Sequence, residues 1–219
     1  MGSTPIIRSI RHSLIPKDGA VIVRGKKNMK LIIASNNAHK LEEIKAILGG
    51  AFEEILSLRE AGVEHETVED GATFAENAAK KAREIAALSG CCALADDSGL
   101  CVDALGGAPG IYSARFAGEH GNDAANRRKL LREMEGVENR AAHFTCSMAL
   151  VRPDGSLTAA EGYVYGEIAR AEAGENGFGY DSLFRVPEFG CTMAQLPPEK
   201  KNAISHRRNA LTALLDKLS

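Results

Sequence analysis

Apolar residues fall in two rhythms along this chain, and the switches between them predict its elements. "KLIIASNN" sets consecutive branched residues before small polar ones, which predicts a buried strand over Leu31 to Ala34. In "HKLEEIKAILGG", Leu41, Ile44 and Leu48 recur at helical spacing and Gly49-Gly50 marks the stop. A second helix is expected from Thr73 to about Ser89. Phe74, Ala78, Ile85 and Leu88 fall on one side of it, and Thr73 with Glu76 has capping-box spacing. "CCALA" reads as a short buried strand ending at Asp96, and a polar helix follows from Asn122 to Glu135. "HFTCSMALVR" partly alternates, as a half-buried strand does; "PDGS" is a hairpin turn and "LTAAEGYVYGEI" the returning strand. "AGENGFGYDSLF" is a glycine-rich loop leading into "LFRV". The final "LPPEKKNAISHRRNALTALLDKLS" opens on two prolines and reads as one helix, with Ile204, Leu211, Leu214, Leu215 and Leu218 on its buried face. Strand–helix units beside a hairpin predict an α/β chain with a mixed sheet.

Composition narrows what such a chain does. With 219 residues, 44% hydrophobic and 26% charged, it suits one domain, or one domain with two lobes. A net charge of −2 gives no nucleic-acid footprint, and 5% aromatics with no Trp make no general base-stacking platform. Neither nucleic acid nor membrane is an expected partner, and nucleotide recognition has to be local. Five cysteines, an odd count without a CxxC, read as small buried hydrophobes in a reducing cytosol. Residues 1–28 carry six Lys/Arg and a single acid, Asp18, and read as a dispensable extension (tag, leader or alternative start) ahead of Met29. Residues 29–219 read as the single functional domain.

Chemistry is suggested at five places. Ser35-Asn36-Asn37-Ala38-His39-Lys40 joins a strand to a helix, where free backbone N–H groups attract anions and Lys40 suits a phosphate. An ordinary helix cap with a surface lysine is the plainer alternative, and neither GxxxxGK[ST] nor GxGxxG is present. Asp96 and Asp97 end an apolar run and precede Ser98-Gly99; carboxylates at a strand's C-terminal end are where α/β folds place sites. Such a pair can share a hard cation, whose bound triphosphate offsets the repulsion between them. Glu69, just before the Thr73 cap, is a further candidate ligand. "GFGYD" (Gly177 to Asp181) sets Phe178 and Tyr180 in a loop whose glycines permit close approach to a flat base. In "EKKNAISHRRNAL", Lys200 and Lys201 crowd a helix start, where an anion would relieve them. Lys201 and Arg208 share a face of the expected single helix, with Arg207 rotated away; a solvated cationic face is the alternative.

Taken together and in this order, "ASNNAHKLEEI", "EDGATFAENA", "LADDSGLCVDALGGAPGIYSARFAG", "GFGYDSLF" and "EKKNAISHRRNAL" resemble the inosine triphosphate pyrophosphatase family. The resemblance spans Met29 to about Leu218. It implies an elongated mixed β-sheet with flanking helices forming two lobes around a central cleft. It also implies a cytoplasmic homodimer that hydrolyses ITP, dITP and XTP to monophosphate and pyrophosphate with Mg²⁺, cleansing the nucleotide pool. By motif, Asp97 is the proton acceptor and a metal ligand, and Glu69 the second ligand. Ser35, Asn36, Asn37, Ala38, His39 and Lys40 bind the triphosphate, and Ser98 touches the nucleotide. Phe178, Gly179, Tyr180, Asp181, Lys201, His206 and Arg207 complete the pocket. The first motif departs from the family in having Ser35-Asn36 where many relatives have Thr-Gly. A Maf-like pyrophosphatase of pyrimidine or modified nucleotides, a metal-dependent binding module without turnover, and a reader of damaged bases in nucleic acid are the competing assignments.

Overall fold

The computed structural model describes residues 30–48 and 52–218, so the expected extension and the Gly49-Gly50 helix stop lie outside the described residues. β1 (Lys30–Ile33) and α1 (Ala38–Leu48) make the first strand–turn–helix unit. β1 is flanked by two parallel neighbours, β2 (Glu54–Ser57) and β3 (Cys92–Val102). From β3 onward the sheet is antiparallel, through β4 (Ala141–Val151), β5 (Leu157–Ile168), β6 (Phe184–Val186) and β7 (Cys191–Thr192). The order across the sheet is β2-β1-β3-β4-β5-β6-β7, a mixed sheet as the element pattern predicts.

Helices cover it unevenly. α2 (Phe74–Ser89) lies on one face, where Ala78, Ala82 and Ile85 meet Ile32, Ala93, Ala95 and Ala149. On the other face, α1 and α5 (His206–Asp216) bring Ile44, Leu48, Leu211 and Leu214 onto Leu31, Ile33, Leu94 and Met148. Contact on that side is close: at Gly162 of β5 a side chain would run into the α5 backbone at His206 and Ala210. A third cluster gathers Leu100, Phe144, Val164, Tyr180 and Phe184 with Leu130 of α3 (Asp123–Glu133), and forms the second lobe around the far end of the sheet. The sequence expectation of two lobes is met by this division of the core.

Three local expectations need correction. β3 does not stop at Asp96 but runs through Asp97 and Gly99 to Val102, because β4 pairs with it from Ala93↔Val151 to Val102↔Ala142. β4 is buried at every position from Phe144 to Val151 rather than half-buried, being a central strand with helices on both faces. The C-terminal helix is two: α4 (Pro198–Ile204) ends at Ser205, whose extended backbone (ψ 147°) and side chain, accepting from the Arg208 amide at 3.1 Å, cap α5. Lys201 and Arg208 therefore do not share a helical face. Within α2, Leu88 is 61% exposed, and alanines supply the apolar side that it was expected to join. The Thr73 cap, the 152–156 hairpin turn and Pro198 at the start of α4 are as expected. Cys91, Cys101, Cys146 and Cys191 are free thiols, and Cys92 and Cys146 are buried. Among the described residues no helix is long and apolar enough to cross a membrane.

Candidate active site

β1 ends at Ile33, and its last tie to β3 is the Ala34 amide donating to Leu94 (2.7 Å). Beyond that point the β3 edge borders a cleft of about 730 Å³ between the lobes. Ligand sites of open α/β sheets lie in such a place, past the carboxyl end of a strand whose neighbours diverge. Successive side chains of a strand point to opposite faces. Asp96 accordingly joins Leu94 on the α1/α5 side, and Asp97 joins Ala95 on the α2 side. The two acids are neighbours in sequence without sharing an environment, so the expectation that the pair shares one cation is corrected.

Asp96 is consumed by internal charge. Its Oδ2 accepts from Arg207 Nε and Nη2 (3.3 and 3.2 Å) and pairs with Lys40 Nζ at 3.1 Å. Burial alone raises a carboxyl pKa; here Lys40, Arg207 and Lys81 outweigh it and hold Asp96 well below the usual carboxylate range. Arg207 is 1% exposed, and its remaining donors reach Glu43 Oε2 and Ser98 Oγ. It is a buried strut behind the cleft wall, not part of a solvated cationic face. Glu43 also accepts from Lys201 Nζ (3.0 Å), which pairs with Asp181 at 2.8 Å. Opposite charges thus alternate from Lys40 through Asp96, Arg207, Glu43 and Lys201 to Asp181. Burial lowers the Lys201 pKa, but Asp181 and Glu43 raise it further and keep the ammonium charged.

Asp97 is left more exposed to chemistry. Its Oδ2 accepts from Asn77 Nδ2 (3.0 Å) and its Oδ1 from the Ser98 amide (3.0 Å). Burial, together with the charge of Glu69, outweighs Lys81 and Lys40 and raises its pKa. Glu69 approaches from the extended segment before α2, and Lys81 Nζ lies between the two acids, 2.8 Å from Glu69 Oε1 and 3.9 Å from Asp97 Oδ1. Burial raises the Glu69 pKa, but Lys81, Lys40 and Arg115 together lower it further, so Glu69 stays ionised. Lys81 is likewise held charged, with Asp97, Asp96 and Glu69 overcoming burial. Among the described residues no three His, Cys, Asp or Glu side chains gather as a metal cage. Two carboxylates converging on one cation fit a small hard ion that keeps waters and phosphate oxygens as its other ligands.

The remaining expected residues ring the same cleft, except Ala38, which is exposed at the start of α1. The Ser35–Lys40 loop is not a row of free donors. Ser35 Oγ accepts the Asn37 amide, and Asn37 Oδ1 accepts those of His39 and Lys40 (3.2, 3.1 and 3.3 Å). The Phe178 loop is pinned from several sides. Asp181 accepts the Phe178 amide (3.0 Å), Asp123 accepts that of Gly179 (2.8 Å), and the buried Tyr180 hydroxyl donates to the Ser113 carbonyl (2.9 Å). Gly177 has φ +79°, and any side chain there would meet the Asp181 carboxylate. Phe178 stacks on His39 across the cleft (5.2 Å, 11°), with Lys201 Nζ 4.9 Å from its ring centre. His206 stacks on Phe144 (4.9 Å, 15°), and its buried Nδ1 has no partner among the described residues. Burial, then the Arg207 charge, pushes the His206 pKa well below its ordinary value, so the ring is neutral.

Three contributors were not singled out by the motif reading: Glu43 and Asn77, which lie inside "ASNNAHKLEEI" and "EDGATFAENA", and Lys81, three residues beyond the second. Each sits where a polar residue interrupts a helix's buried side. Glu43 lies beside Ile44 and Ile47; Asn77 and Lys81, one turn apart on α2, flank Ala78 and Ala82. A buried polar position on an amphipathic helix was the available signal.

The chain matches the model of the Ham1 family over residues 31–217. It is 52% identical over 197 residues to a dITP/XTP pyrophosphatase of Clostridium perfringens, covering 86% of this chain and 97% of that protein. It is 51% identical to a dITP/XTP pyrophosphatase of Geobacter sulfurreducens, covering 86% and 96%. Among solved structures it is similar to the Staphylococcus aureus Ham1 protein, with TM-score 0.78, 44% identity and coverage of 86% and 97%.

Proposed function

Because the chain belongs to the Ham1 family, we propose that it is a nucleoside triphosphate pyrophosphatase. In this reading it takes dITP, XTP and ITP to the monophosphate and pyrophosphate with Mg²⁺, and so removes non-standard purines from the nucleotide pool. The observation that carries the reading is the meeting of Glu69 and Asp97 around the Lys81 ammonium, in a cleft that also presents Lys40 and Lys201. The expectations of a homodimer and a cytoplasmic setting travel with it.

Glu69 and Asp97 are the residues that would hold Mg²⁺, which supplies Lewis acidity and offsets phosphate charge. In this reading Asp97 accepts the proton of the attacking water. Asn77 and the Ser98 amide fix the orientation of its carboxylate. Lys40 and Lys201 are positioned by acids on their inner sides, so the wall stays cationic without relying on freely moving side chains. Much of the rate then comes from positioning and electrostatics. Phe178 would offer a flat base the ring face on which His39 now stacks, and the neutral His206, lining the same cleft, has an unpartnered Nδ1. Hypoxanthine and xanthine carry an acceptor at position 6 where adenine carries a donor. A buried hydrogen-bonding site rejects such a mismatch by roughly 10⁴-fold or more.

A substrate panel of ITP, XTP, dITP, ATP, dUTP and m⁵UTP, with Mg²⁺ and with EDTA, tests the reading. Pyrophosphate release from the 6-oxo purines, lost in EDTA, is expected. Orthophosphate as product, or preference for m⁵UTP, would overturn it.

A further inference from the structure

We propose that Lys81 is the resident counter-cation of the Glu69–Asp97 pair, so that its ammonium and a divalent ion are alternative occupants of one gap. The inference rests on the reading above, in which those carboxylates are the metal ligands. It goes beyond that reading by setting the conditions under which the ion enters.

Geometry gives the first argument. The Lys81 ammonium lies between the two acids, at 2.8 Å from Glu69 and 3.9 Å from Asp97, with its side chain 12% exposed. A cation bridging the same oxygens needs the same space. The second argument is mechanical. α2 is fixed by Ala78, Ala82 and Ile85 in the core, and Asn77, one turn before Lys81, is bonded to Asp97. The root of Lys81 therefore stays in place, and the flexible four-carbon stem is the part able to move. The third is electrostatic. A buried and a half-buried carboxylate facing one gap require a positive charge, which the ammonium already supplies. A divalent ion entering beside it meets repulsion at short range and low dielectric, unless the ammonium has another anion to go to. A triphosphate in the cleft is such an anion. Lys81 lines the cleft and can turn toward it without leaving its helix. Nucleotide and metal then favour each other: each is bound more tightly when the other is present, and by the same factor. The empty protein holds divalent ions weakly, and the gap is filled by ion and substrate together.

The test is Mn²⁺ binding to the full chain, read from the paramagnetic signal of the free ion, first without nucleotide. Lys81→Met and Lys81→Gln are expected to bind Mn²⁺ more tightly than the parent, within the about 5- to 150-fold span of typical coupling. Glu69→Gln is expected to abolish this binding in either background. Equal or weaker Mn²⁺ binding by both Lys81 variants, with Glu69→Gln still abolishing it, overturns the proposal and leaves the metal ligands standing. No effect of Glu69→Gln overturns the ligand assignment itself, and the proposal with it. A second measurement needs no variant. The non-hydrolysable α,β-imido analogue of ITP should tighten Mn²⁺ binding by the unaltered protein at least about fivefold, beyond what the analogue alone retains. Absence of that coupling also overturns the proposal.

Discussion

The two faces of β3 meet the same problem, a buried aspartate, in opposite ways. Toward α1 and α5, Asp96 is saturated: Arg207 and Lys40 neutralise it, and its proton affinity falls. Toward α2, Asp97 is under-compensated: an amide, an asparagine and a more distant ammonium face it, and its proton affinity rises. One residue of chain separates a charge-paired carboxylate from the one proposed as the base. Burial does not tell them apart, since both are below a tenth exposed; the direction of the pKa does.

The sharpest way to break this contrast is Asp97→Asn. It should lower kcat by about 10²–10⁴-fold while leaving melting cooperative. Near-parental turnover of ITP would remove Asp97 from the role of base. Next in size is Arg207→Met, which leaves buried Asp96 with Lys40 alone and buried Glu43 with Lys201 alone. Urea denaturation should show a loss of about 3–5 kcal/mol. A loss within experimental error would mean that the alternating charges are dispensable to the fold.

The finest distinction is in how stability depends on pH. Asp96 has a lowered folded pKa, so it stabilises above the ordinary aspartate value, and that contribution disappears as pH falls through the folded pKa. Asp97 has a raised folded pKa, so its effect runs the other way: stability falls as pH rises from the unfolded pKa through the folded one. Urea titrations from acid to neutral pH should therefore find Asp96→Asn less stable than the parent at neutrality, with the gap closing in acid. Asp97→Asn should be at least as stable as the parent at neutrality. Gaps of the same sign would collapse the distinction.

Much of this arrangement was legible in the sequence where signals were local. The Thr73 cap, the hairpin turn, the proline at the start of α4 and the acids beside an apolar run need no distant partner to be recognised. β2 was not, because its four residues carry no alternation long enough to read. The length of β3 was misjudged because two acids look like a strand's end; the ladder from β4 and the charges of Lys40 and Arg207 override that local preference. Glu43 was not singled out because its partners, Lys201 and Arg207, stand 158 and 164 residues away. The break at Ser205 did carry a local mark, a residue type that caps helices, inside what looked like continuous periodicity. In the candidate site, the motifs located most residues that line the cleft. The residues that tune them, Asn77 and Lys81, were hidden by α2's alanine-rich face.

The bend at Ser205 also fixes when the site can exist. Arg207 and Lys201 are synthesised after every acid they neutralise, Glu43, Asp96 and Asp181. Until α5 has been synthesised and seated on β5, a nascent chain has neither a finished hydrophobic layer over β1 nor a charge-balanced wall. Completion of the core and maturation of the pocket are consequently a single event that waits for α5.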